Sequence, residues 1–225
     1  MSSLPNVKKK IERIENFTLF FIVFALLFSA LTLLQVQQAA PYIIFNICLL
    51  LVSRTMLKRD YGTDIFHKPE LPEMHPKMQL LLGAVYGTLI FLHIFLLLLH
   101  ISALFSISLP LFPWLVAETT IKYVVLYIVL NMLMQIAASY AEEAFWRQYF
   151  WKVLEDVGLP RIAVLLLITL LFTLVHKPGR SWLSIALIGL VSLELGMLRL
   201  KYGEKSFLLT GTVHFVFNLL NVFIA

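Results

Sequence analysis

Glu142 and Glu143 stand side by side in the run Tyr140-Ala141-Glu142-Glu143-Ala144-Phe145-Trp146-Arg147, late in a long apolar helical pattern that begins near Ile121. Charge in such a setting is expensive. An ionisable side chain within a membrane span costs a few kcal/mol or more unless it is paired or faces a wet cavity, so it marks a functional site by default. Two later apolar stretches each carry one histidine, in Phe172-Thr173-Leu174-Val175-His176 and in His214-Phe215-Val216-Phe217-Asn218.

The spacings divide the work among these residues. Adjacent helical positions point about 100° apart, whereas positions four apart share a face. Arg147 can therefore neutralise Glu143 as a structural pair, leaving Glu142 to face a cavity. The midpoint between Glu142 and His176 falls in the turn Gly158-Leu159-Pro160. In an antiparallel hairpin both residues then lie about 25 Å from that turn, at ~1.5 Å per residue, and can meet. His214 and Asn218 also share a face. A buried carboxylate with a histidine in reach is suited to take a proton from water, and His176 would hold the same water. Hydrolysis of an amide further needs donors for the oxyanion of the tetrahedral intermediate. His214 and Asn218 fit that requirement.

Other intramembrane peptidase chemistries lack their residues. There is no His-Glu-x-x-His for zinc and no Gly-x-Ser-x-Gly for a serine nucleophile. The aspartates, Asp60, Asp64 and Asp156, fall in connections or at a helix end, which removes an aspartyl dyad within the membrane. Read as packing alone, Glu143 and Arg147 form a helix salt bridge and the histidines are satisfied core residues. That account strains to explain two glutamates, an arginine, two histidines and an asparagine spread over three helices. Glu194 is a further intramembrane acid, expected to be structural and to pair with Arg199 or Arg147. His93 and His100, seven apart, share a face, either as buried or interfacial histidines or near the site.

The elements that must position these groups follow from composition. Of 225 residues 60% are apolar and 14% charged, against roughly 25% charged in a soluble domain. Apolar runs approaching the ~20 residues of a bilayer crossing recur about seven times. The expected fold is all-α, a single polytopic membrane domain of about seven spans, or eight if 102–120 also crosses. Residues 1–120 would supply N-terminal spans and a surface linker, and 121–225 the core carrying the chemistry. The first run, Phe17 to about Leu34, is too long for a signal-peptide core and reads as a retained span. A second is expected from about Pro41 to Ser53. A polar connection from Arg54 to Lys77 follows, with prolines at 69, 72 and 76. The third span, about Met78 to Ile101, carries Gly83 and Gly87 at the spacing that lets helix backbones approach closely. The fourth helix runs from Ile121 to about Asp156, the fifth from Arg161 to His176, the sixth from about Trp182 to Leu200 and the seventh from about Ser206 onward. Cys48 is alone, so no disulfide framework or cysteine metal site arises.

Cytoplasmic loops carry the excess of Lys and Arg. With the N-terminus inside, fifteen of the 18 basic residues fall in inner segments. This predicts a multi-pass protein of the plasma (inner) membrane with a cytoplasmic N-terminus. The net charge of +5 follows from topology and does not point to nucleic acid.

Glu142-Glu143-x-x-x-Arg147, Phe172-x-x-x-His176 and His214-x-x-x-Asn218, in that order, resemble the three motifs of the CAAX protease and bacteriocin-processing family, also called the Abi family. The Ras-converting CAAX prenyl endopeptidases belong to it. Gly196-Met197-Leu198 with Gly203 and Ser206 resembles the stretch this family carries ahead of its last motif. The resemblance spans roughly 121–225. It implies an intramembrane endopeptidase acting on a membrane-associated peptide or protein. Glu142 and His176 would activate water, and His214 and Asn218 would form the oxyanion hole. It also implies no cofactor. A zinc variant held by Glu142, His176 and His214 stays open from the residues alone. So do two other functions, a non-catalytic scaffold or bacteriocin-immunity protein on the same fold and a proton-coupled carrier.

Overall fold

The computed structural model describes residues 11–16, 18–19, 22–23, 39–65, 74–105, 121–178 and 180–224. Besides helical residues at 11–16, 18–19 and 22–23, seven α-helices are bounded, with no strand among the described residues: α1 (Ala39–Tyr61), α2 (Pro76–Phe105), α3 (Ile121–Glu143), α4 (Trp151–Val157), α5 (Arg161–Val175), α6 (Trp182–Tyr202) and α7 (Phe207–Ile224). A π-helical stretch, Ala144–Phe150, joins α3 to α4, so that one rod runs from Ile121 to Val157. Most of the expected first span and all of 106–120 lie outside the described residues.

The helix ends follow local chemistry. The second expected span is longer than its apolar core, because α1 continues through Arg54 to Tyr61. Polar residues do not by themselves end a helix. Here the chain leaves helical geometry at Gly62, with φ 66°, and Arg54 turns back to Asp64 at 2.6 Å. Pro76 opens α2, where its missing N–H is no loss. Gly158 ends α4 in the left-handed region at φ 98°, and the N–H of Leu159 closes on the carbonyl of Leu154 at 3.2 Å, capping the helix. Ser181 caps α6 by accepting from the N–H of Ser184.

Two helices, Pro76–Leu104 and Trp182–Tyr202, are long and apolar enough to cross a membrane, and Arg161–Val175 is a shorter apolar helix. Besides an apolar core, the described residues carry outward apolar faces and buried polar groups. Ile162, Leu166, Leu170 and Leu174, at intervals of four on α5, are all more than half exposed. Ser139, Glu143, Arg147 and Thr210 are fully buried. Apolar side chains outward and polar ones inward suit apolar surroundings.

α7 packs against both α2 and α3, α1 lies along α3 and the π segment, and α5 pairs with α6. Gly83 and Gly87 make the α2–α7 contact possible, as their spacing predicted. A Cβ on Gly83 would come within 2.6 Å of Thr212, and one on Gly87 within 2.8 Å of the Val213 carbonyl. This contact fixes the height and rotation of α7, and therefore of His214.

Glu194 departs from expectation. It pairs with His93, Nδ1 to Oε1 at 3.3 Å, rather than with Arg199 or Arg147. Both arginines are engaged elsewhere, Arg199 on the carbonyl of Arg147 and Arg147 on Glu143. His93 is far more exposed than Glu194, and His100 bonds the carbonyl of Leu96 in its own helix. Neither histidine reaches Glu142.

Candidate active site

The two glutamates are the last residues of α3, directly before the π segment, every residue of which is buried. Aromatic rings build the wall here. Trp146 lies edge-on to Phe172 at 5.8 Å and to Phe145 at 4.9 Å. Phe172 is a platform for the charged groups. The Arg147 guanidinium sits 4.5 Å over its ring, and the rings of His176 and His214 lie 4.4 and 6.1 Å from it.

Arg147 and Glu143 are both inaccessible to solvent and meet at 3.0 Å. The same guanidinium donates to the Ser192 hydroxyl at 2.8 Å and to its carbonyl at 3.3 Å. Breaking such a pair strands a buried charge, at about 3–5 kcal/mol. Glu143 does more than the neutralisation expected of it, because its Oε1 also takes Nδ1 of His214 at 3.1 Å.

Glu142 is 8% exposed and faces both histidines. Its Oε2 lies 3.9 Å from Nε2 of His176 and 3.8 Å from Nε2 of His214. These separations exceed a direct hydrogen bond and suit bridging by one water. Nδ1 of His176 lies 2.7 Å from the carbonyl of Phe172. A carbonyl or a carboxylate only accepts, so each histidine carries its proton on Nδ1. In the neutral ring Nε2 is then a lone pair turned toward Glu142. His176 in that form can accept from a water that also donates to Glu142. His214 can donate to an oxyanion only as an imidazolium, held between Glu142 and Glu143.

Asn218, one turn beyond His214, directs its amide nitrogen to the Ser139 hydroxyl at 3.3 Å. That uses one of its two N–H groups and fixes the plane of the amide. The structure thus brings together Glu142, Glu143, Arg147, His176 and His214, with Asn218 one turn beyond His214 and tied to Ser139 on α3. Ser139, Ser192 and Phe172 as a platform are the parts that motif spacing did not reveal. Ser139 had a readable signal, lying four residues before Glu143. Ser192 had none. Among the described residues no group of three His, Cys, Asp or Glu side chains is disposed to hold a metal ion.

The site is level with the C-terminal end of α5, where His176 is the capping residue, at the far end of the hairpin from the Gly158 turn. The distance argument from that turn foresaw this.

Comparison with known proteins gives one match to a family, the type II CAAX prenyl endopeptidase Rce1-like family, over residues 124–220. No curated protein and no solved structure matches the chain. The matched stretch contains every residue gathered at the site. Residues 124–220, a little under half of the chain, are thus similar to the type II CAAX prenyl endopeptidase Rce1-like family.

Proposed function

We propose that the protein is a glutamate-dependent intramembrane endopeptidase. The family carries the expectation of intramembrane proteolysis, and one observation carries the mechanism: the Glu142 carboxylate facing Nε2 of both histidines at 3.8–3.9 Å. A water donating to Glu142 and to His176 gives up a proton to Glu142 as its oxygen attacks the substrate carbonyl. The developing oxyanion is met by Nε2–H of the His214 imidazolium and by the second N–H of Asn218. When the tetrahedral intermediate collapses, the C–N bond breaks and Glu142 returns the proton to the leaving amine. The reaction needs no metal in this form. The protein is read as a multi-pass membrane protein with its N-terminus in the cytoplasm, its chemistry in 121–225, and a membrane-associated peptide or protein as substrate.

Glu142→Gln keeps shape and hydrogen bonding but removes the base. Purified protein in detergent should stay folded by thermal melt and lose at least the ~10²-fold that general base catalysis contributes. Chelator should leave the parent rate unchanged. Activity that vanishes with chelator and returns with zinc overturns the metal-free step. A Glu142→Gln protein that keeps both its fold and its full biological phenotype overturns the peptidase in favour of a scaffold.

A further inference from the structure

The π segment Ala144–Phe150 begins immediately after the two glutamates. Such segments insert one extra residue into a turn and recur at functional sites. A single inserted residue changes azimuth by about 100°, so the π segment sets how Glu142 and Glu143 are rotated relative to Trp151 and the rest of α4. At its exit the N–H of Trp151 no longer bonds the carbonyl four residues back. The N–H of Trp151 points to the carbonyls of Trp146 and Gln148, passing over the carbonyl of Arg147. A carbonyl skipped in a fully buried turn needs a partner from elsewhere.

That partner comes from α6. Nε of Arg199 donates to the Arg147 carbonyl at 2.8 Å across 52 residues of sequence. Arg199 is itself 4% exposed, with its guanidinium 5.7 Å over the Trp151 ring. The contacts then run in series. Arg199 holds the backbone of Arg147, the Arg147 guanidinium holds Glu143, and Glu143 holds Nδ1 of His214.

We propose that Arg199 is a positioning residue. By satisfying the skipped carbonyl it holds the π turn, and through Arg147 and Glu143 it sets the orientation of His214. Its effect on turnover rests on the peptidase reading above, whereas its effect on His214 does not.

Two variants separate the donor from the charge. Arg199→Lys keeps the charge and places a methylene where Nε donates. Arg199→Gln loses the charge and has an amide nitrogen at that position along the side chain. The full chain is purified in detergent with nitrogen-labelled histidine, and the His214 Nδ1 resonance is assigned by its absence in His214→Asn. Arg199→Lys should move that resonance and lower kcat by up to about 10²-fold, the scale of a small misplacement, with KM near the parent value. Arg199→Gln should keep both closer to the parent. Arg199→Met, which keeps only the stem, replaces the lysine variant if that protein does not accumulate, with the same readings. An unmoved His214 resonance in a folded donor-less variant overturns the proposal, even with a lower melting temperature. So does the reverse order, with lysine intact and glutamine impaired. If the parent cleaves nothing, the peptidase reading fails by itself and the His214 resonance still decides the role of Arg199.

Discussion

Glu143 and His214 are joined through Nδ1 and Oε1 at 3.1 Å, on the same carboxylate oxygen that takes Arg147 at 3.0 Å. One buried oxygen thus receives both a permanent cation and an imidazole. Its fellow, Oε2, is buried without a hydrogen-bond partner. Of the two adjacent carboxylates, Glu143 is the anchor that holds Nδ1 of His214, and Glu142 is the one that faces Nε2 of both histidines.

Removing one member of the buried pair should cost more than removing both. Arg147→Met strands the Glu143 charge and is expected to lose about 3–5 kcal/mol. Adding Glu143→Gln should recover part of that loss, because no net charge then remains unpaired. Thermal or denaturant melts of the two single variants and the double measure the coupling. Strictly additive costs would deny the pairing.

Asn218 and Ser139 should separate by their effects on turnover. Asn218→Ala removes the proposed oxyanion donor and should lower kcat by about 10²–10³-fold while KM stays near the parent value. Ser139→Ala removes only the group that orients the Asn218 amide, so its loss should be smaller. A Ser139→Ala loss equal to that of Asn218→Ala would show that orientation, not donation, is what the asparagine supplies.

Gly87 should resist any side chain. A Cβ there meets the carbonyl of Val213 at 2.8 Å, and backbone cannot step aside as a flexible side chain can. Gly87→Val should cost about 1–3 kcal/mol of overpacking and displace His214, the next residue on α7. Gly189→Ala is the control, since its Cβ would touch only the side chain of Thr173, at 3.2 Å. Equal melting temperatures for the two variants would remove the close α2–α7 approach from the account.

What the sequence made legible was the part governed by helical period and by helix breakers. The turn at Gly158 follows from Gly158 and Pro160, and the meeting of Glu142 with His176 follows from that turn by counting residues. The tight seam at Gly83 and Gly87 follows from a spacing of four. The missed parts depend on tertiary partners. A π segment has no periodicity of its own over seven residues, and this one is held by Arg199 from 52 positions away. Sequence alone offers Arg199 or Arg147 to Glu194, yet these are engaged by the Arg147 carbonyl and by Glu143, and the partner is His93 on another helix. The extension of α1 to Tyr61 was hidden because a fall in hydropathy was read as a break, while the geometry changes only at Gly62.

The brevity of α5 bears on the proposed membrane setting of the site. Its 15 residues rise about 22 Å, against roughly 30 Å of hydrocarbon. On the proposed reading in which α5 lies across a membrane, both its ends cannot rest at undeformed interfaces, so either the bilayer thins around it or one end is submerged. His176 is at one of those ends. On that reading acyl-chain length would act on the depth at which His176 sits, and activity measured in bilayers of increasing thickness would report it.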